Sequence, residues 1–424
     1  MAWTKQQRSV ALASYLGWTL DAFDFFLMVF ILRDIAKAFN TEITSVTVAI
    51  TLTLALRPIG ALIFGRLADR FGRRPVLMAN IVLFSLINFA SGFASSLTML
   101  IVLRSIFGVA MGGEWGVGSA LTMESIPPKS RGVMSGILQA GYPSGYLLAS
   151  LVFGLLHDSI GWRGMFMIGV LPALLVLFIR RNVPESPSWE RGHKATRPSL
   201  VAVLRREWKL TVYMIVLMTA FNFFSHGTQD LYPTFLLVQH KFSTQTVSTI
   251  AIIYNVGAII GGVTFGALSE KIGRRKAIAA AALIALPVLP LWAFATGSVP
   301  LAVGAFLMQI SVQGAWGVIP AHLNEMSPPE VRATFPGLVY QLGNLLASAN
   351  ATIQASLAHR NGDDYGTGMA IVVGIVSVAI SVLILCGRER RGAHIGTGTV
   401  EHDGQAVASG HAVASGGAVA SVSR

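Results

Sequence analysis

The stretch Gly65-Arg66-Leu67-Ala68-Asp69-Arg70-Phe71-Gly72-Arg73-Arg74 returns as Gly266-Ala267-Leu268-Ser269-Glu270-Lys271-Ile272-Gly273-Arg274-Arg275, shifted by 201 residues. Glu124, Pro127, Pro128 and Arg131 recur at the same offset as Glu325, Pro328, Pro329 and Arg332. Gly113-Glu114-Trp115-Gly116 has an echo in Gly314-Ala315-Trp316-Gly317. One offset held over three separate segments implies two halves of the same orientation, related by an axis along a membrane normal.

The surroundings of these copies are apolar. The 424 residues are 53% hydrophobic and 12% charged, with a mean hydropathy of +0.62. A soluble chain carries about 25% charged residues, so this one belongs to the membrane class. At about 20 residues per crossing, the apolar runs place twelve spans near 10–36, 45–67, 75–94, 98–122, 132–156, 163–180, 210–237, 244–268, 277–296, 299–322, 334–357 and 367–386. The fold class expected is therefore all-α, with two pseudo-symmetric six-helix bundles. The bundles fall at 1–181 and 210–387, joined by a polar connector at 182–209. The segment 388–424 reads as a disordered tail, rich in Gly, Ala and Ser. Its histidines, His394, His402 and His411, match no metal-site spacing, and no metal is expected.

A net charge of +12 invites a nucleic-acid reading, but the positions of the cations exclude it. With the N-terminus inside, 25 Lys and Arg fall on the inward side. Five (Arg33, Lys37, Arg163, Lys241 and Arg360) fall outside, and Arg57 and Arg104 lie within spans. That asymmetry is the positive-inside pattern and predicts two cytoplasmic termini in a cell inner (plasma) membrane, with the lipid bilayer as partner. The single cysteine, Cys386, rules out a disulfide framework.

Ionisable residues inside the spans mark candidate function. On the seventh span Asn222, Ser225, His226, Gln229 and Asp230 share an arc of about 140° at the helical repeat. Either they face a watery cavity, or they form a hydrogen-bonded seam with another helix. Asp21 and Asp24 share one face of the first span; Arg57 lies in the second, and Arg104 and Glu114 in the fourth. The carboxylates outnumber the cations, so at least one is expected to carry a proton during part of a working cycle. A static pair such as Asp24–Arg104 is the competing arrangement. Gln341 and Asn344, one turn apart in the eleventh span, supply amides. At the loop ends, Asp69 among Arg70, Arg73 and Arg74, and Glu270 among Lys271, Arg274 and Arg275, read as a cytoplasmic gate that includes Gly65 and Gly266.

The Gly-x-x-x-Asp-Arg-x-Gly-Arg-Arg stretch and its second copy resemble the loop motif of the major facilitator superfamily, over residues 1 to about 390. Asn222, Ser225, His226, Thr228, Gln229, Asp230 and Thr234 are similar to the signature of its sialate and lactate proton symporters, the group that contains the fungal lactate permease. Asp21-Ala-Phe-Asp24, Leu-Arg57-Pro, Gly113-Glu114-Trp115 and Gln341-Leu-Gly-Asn344 are similar to that group as well. The resemblance implies a monomeric, non-enzymatic transporter without a cofactor, driven by the proton gradient, that carries a small organic anion such as lactate or pyruvate. Substrate contacts are then expected from Arg57, with Arg104 as second choice, and from Asn222, Gln341 and Asn344. Proton coupling is expected from His226 and Asp230, with Asp24, Glu114 and Asp21 as further carriers. Sialate members often have two extra central spans, which the connector here lacks, and this leans toward a small monocarboxylate. A symporter of a sugar acid or an aromatic acid, a drug:proton antiporter and a non-transporting receptor are the alternatives.

Overall fold

The computed structural model describes residues 3–192, 198–362 and 364–393. His394, His402, His411 and the rest of the expected tail from 394 onward lie outside the described residues. Within them the chain is helical, with no strand, and nine helices are long and apolar enough to cross a bilayer. The other three of the expected twelve fall in segments too bent or too polar to meet that measure. Two of them form the bent assembly Pro128–Ile168 plus Ala173–Asn182, which Gly161 interrupts at φ 63° and ψ −177°. Gly72 holds a similar left-handed, extended geometry (φ 109°, ψ 153°) between the second and third spans. Gly161 is thus a reversal between two spans, at a backbone angle that favours glycine. The eleventh span is Phe335–Ala347 followed by Asn350–Arg360, and its Gln, Asn and Gly residues lower its hydropathy.

Two spans read as continuous are broken. The second runs Ile43–Ala55, then Arg57–Phe71. Pro58 lacks the N–H that the Leu54 carbonyl would have received, so the helix restarts at Arg57. The seventh runs Trp208–Gln229, then Tyr232–Thr234 and a widened turn at Phe235–Gln239, with Pro233 removing the donor for Gln229. The expected tail also begins later than 388. Residues 388–393 are held in place, with Glu389 accepting from the Arg275 N–H at 3.0 Å and Arg391 Nη1 donating to the Glu270 and Lys271 carbonyls at 3.0 and 2.9 Å. Side-chain and backbone partners at the helix ends order a segment whose composition reads as disordered.

The two halves meet where small residues let backbones approach. The second span packs on the eleventh, and the fifth on the eighth. A Cβ on Gly116 would come 2.9 Å from the Gly337 Cα, and one on Gly266 would come 2.5 Å from the Gly132 carbonyl oxygen. Gly65 faces Thr334 in the same way, at 2.6 Å. Replacing Gly116→Leu is therefore expected to wedge the halves apart. At about 1–3 kcal/mol for overpacking, amide hydrogen exchange across residues 331–338 should rise roughly tenfold, and unchanged exchange would show that the seam tolerates the side chain.

Candidate functional site

The arginine-rich end is held shut by buried carboxylates. Arg73 donates to both oxygens of Glu124 at 3.1 Å and lies 3.3 Å from Asp69. In the second half Arg274 donates to both oxygens of Glu325 at 3.0 Å and lies 3.1 Å from Glu270. Such two-point, charge-assisted bonds hold a planar guanidinium in one orientation. The link between halves runs through the other acid of each set. Asp69 accepts from the Ala333 N–H at 3.0 Å, the Thr334 N–H at 3.2 Å and the Thr334 hydroxyl at 2.5 Å. Glu270 accepts from the Gly132 N–H. Arg73 and Arg274 thus pair with these acids as expected, whereas Arg74 donates to the Arg180 carbonyl and Arg275 to the Ile384 carbonyl, each inside its own half. Arg70 lies over Phe71 and forms no ion pair among the described residues. Glu124 and Glu325 were visible only as repeat positions. Their common spacing of 51 residues from Arg73 and Arg274 is the signal that could have assigned them.

Away from that end, the helix break at Pro58 sets Arg57. Its backbone rests on Gly112, where a Cβ would fall 2.0 Å from the Arg57 carbonyl oxygen. The side chain is 4% exposed. Nη2 lies 2.6 Å from the Met111 sulfur, a weak acceptor. The guanidinium sits 5.4 Å from the Phe25 ring centroid, and Nε has no partner. No carboxylate of the described residues lies within 4.0 Å of it. Arg57 is nevertheless within charge-interaction range of Asp21, Tyr142, Tyr340 and His226. These residues come from both halves, so the break sets one buried cation near the meeting of the two bundles.

In the second half, His226 Nδ1 lies 3.1 Å from Asp230 Oδ1 and its Nε2 lies 2.9 Å from Asn344 Oδ1. About a third of each titratable side chain stays exposed, 32% for His226 and 38% for Asp230. The polar stripe of the seventh span therefore divides. His226 and Asp230 face the accessible side, whereas Gln229 donates to Gln309 at 3.1 Å and Gln309 donates to Thr228 at 3.1 Å. Gln354 donates to the Gly227 carbonyl at 2.8 Å. The hydrogen-bonded seam expected of the stripe is thus present on its Thr228–Gln229 side. Gln309 and Gln354 were missed in the sequence because single amides in apolar runs carry no spacing signal. Asn222 spends its Nδ2 on the Met218 carbonyl, at 2.8 Å. Gln341 is 2% exposed and its Oε1 has no partner.

Three acids inside the spans of the first half are buried without ion pairs among the described residues. Asp21 and Asp24 are both 0% exposed and Glu114 is 1% exposed. Both oxygens of each aspartate, and Glu114 Oε2, have no hydrogen-bond partner among the described residues. Arg104 does not pair with Asp24 within 4.0 Å. Its Nη2 donates instead to Asn88 at 2.8 Å and Ser91 at 2.9 Å, and it stacks on Phe107 and Phe166. Every one of these partners belongs to the first half. Between the halves Tyr340 packs on Trp115 and Trp316, at 4.8 and 5.4 Å between centroids.

Comparison with known proteins agrees with this architecture. Residues 10–243 match the pattern described as Major Facilitator Superfamily, and residues 210–388 match Sugar (and other) transporter. The chain is 31% identical to the sialic acid transporter NanX of Escherichia coli, covering 91% of this chain and 95% of that one. It is 30% identical to a carboxylic acid transporter protein homolog of Saccharomyces cerevisiae, over 89% of this chain and 67% of the relative. The structure of the proton:xylose symporter XylE superposes with a TM-score of 0.74 at 19% identity, over 91% and 97% of the two chains. The chain belongs to the Major Facilitator Superfamily, and is a multi-pass membrane transporter, not an enzyme.

Proposed function

We propose that this chain couples the uptake of a small monocarboxylate, such as lactate or pyruvate, to proton entry by alternating access of its two halves. It would act as a monomer in the plasma (inner) membrane, with both termini in the cytoplasm. The observation that carries the reading is Arg57, a buried cation lacking a carboxylate partner among the described residues. Leaving a charge unpaired in low dielectric costs several kcal/mol, and a substrate carboxylate offsets that cost. Asn344 and Gln341 orient the anion from the eleventh span and Asn222 from the seventh. The His226–Asp230 pair, open to one side, takes the proton, and Asp21, Asp24 and Glu114 are its further carriers. An anion on Arg57 cancels the positive field felt at His226, so anion and proton each favour the other's binding. The sealed arginine-rich end supports reading this conformation as closed on the proposed cytoplasmic side.

The relatives support an organic acid as substrate. They also weaken one argument about its size. The sialic acid transporter aligns over 95% of its length, which leaves no room for two extra spans, so the short connector does not separate sialate from lactate. A sugar acid is therefore the second reading. Counterflow with radiolabelled lactate in proteoliposomes, challenged by pyruvate, propionate and sialate, decides between them. Pyruvate and propionate are expected to compete and sialate to fail. Exchange of sialate alone would establish the second reading, and exchange of none of the four would defeat both.

A further inference from the structure

On the outer surface of the first half, the third span (Arg73–Ser91) and the helix Ala173–Asn182 leave a groove of about 760 Å³ between them. Its walls are Met78, Val82, Leu86 and Val176, and its mouth at the arginine-rich end carries Arg74 and Arg180. From Arg74 to Leu86 the helical rise gives about 18 Å, close to one leaflet of a hydrocarbon core about 30 Å thick. Val82 and Leu86 are 36% and 52% exposed, on a face turned to lipid.

The cations at the mouth lack counter-ions. Neither Arg74 nor Arg180 has a carboxylate of the described residues within 4.0 Å, and Arg74 Nε is buried without a partner. Glu185 borders the groove, but its oxygens accept from the backbone N–H groups of Arg73, Arg74 and Ser186 at 3.0, 3.1 and 2.7 Å. The second half supplies an internal comparison. There Arg275 donates to the Ile384 carbonyl as Arg74 donates to that of Arg180, and Glu389 accepts from the Arg275 N–H as Glu185 does from Arg74. The residue in the place of Arg180 is thus Ile384, uncharged and fully buried. The second cation of the mouth, Arg180, is therefore particular to the first half.

We infer that this groove is a binding site for an anionic glycerophospholipid of the arginine-rich leaflet, its phosphate on Arg74 and Arg180 and one acyl chain along Met78, Val82 and Leu86. A phosphate diester supplies the missing counter-charge, and an acyl chain fills an apolar slot of leaflet length.

The test uses the full-length protein in phosphatidylcholine nanodiscs doped with phosphatidylglycerol, with bound lipid counted by native mass spectrometry. Replacing Arg74→Gln and Arg180→Gln together should weaken phosphatidylglycerol retention about thirtyfold, from the usual contribution of a basic residue at a lipid surface. Ala79→Trp, which fills the slot and keeps both cations, should remove the bound lipid as well. Arg388→Gln with Arg390→Gln, outside the groove, should leave retention unchanged. Wild-type retention in the double arginine variant would overturn the proposal. So would retention that survives Ala79→Trp, which would reduce the effect to surface attraction, or equal binding of phosphatidylcholine.

Discussion

Replacing Arg57→Gln should abolish acid-driven uptake of labelled lactate, or raise its KM by roughly a hundredfold or more, because truncating one partner of a buried charge pair costs about 2–5 kcal/mol. The site is already short of acceptors: Arg57 has a sulfur, an aromatic ring and no carboxylate. Arg57→Lys keeps the charge but loses the planar fork that meets a carboxylate at two points. Its KM should rise about tenfold, since one charge-assisted bond remains where two were made. Initial rates in proteoliposomes with an acidic exterior measure both. Unchanged kinetics in Arg57→Gln would remove Arg57 from substrate binding. The burden would then fall on Arg104, which is bound to Asn88 and Ser91.

The second large effect separates coupling from binding. Asp230→Asn and His226→Ala should each eliminate uphill accumulation driven by an inward proton gradient, while lactate counterflow at fixed pH continues at a measurable rate. Counterflow needs only the loaded carrier to turn, whereas accumulation needs a proton taken up and released once per cycle. The His226 ring is held between Asp230 and Asn344, so losing either Asp230 or the imidazole breaks the same unit. Wild-type accumulation in both variants would transfer the proton to Asp21, Asp24 or Glu114, the acids buried without an ion pair. Loss of counterflow together with accumulation would make the pair a binding element instead.

Much of this architecture is legible in the chain because two signals are global. Apolar run length counts the spans, and a register of 201 residues pairs the halves. Local geometry was harder to read. Pro58 and Pro233 are plain in the sequence, yet an apolar run continues through each, so the helix breaks that aim Arg57 and end the seventh span are hidden by hydropathy. The polar stripe at Asn222–Asp230 is legible as a unit, but its division between the exposed His226–Asp230 pair and the buried amide seam depends on which neighbours supply Asn344 and Gln309. Those two residues lie 118 and 80 positions from their partners His226 and Gln229. Distances of that order leave no trace in helical periodicity. Arg104 shows the limit most clearly: it is a span cation like Arg57, and tertiary packing is what gives it Asn88 and Ser91 as partners.

The grip of Asp69 on the opposite half is one-sided, since two of its three donors are main-chain N–H groups at 333 and 334. Main-chain donors survive almost any exchange of the residue that bears them, proline excepted. Evolutionary drift on the receiving strip is thereby tolerated, while the aspartate itself has no freedom to vary. Natural diversity across this seam should accordingly be lopsided, with position 69 invariant and position 333 free among small residues.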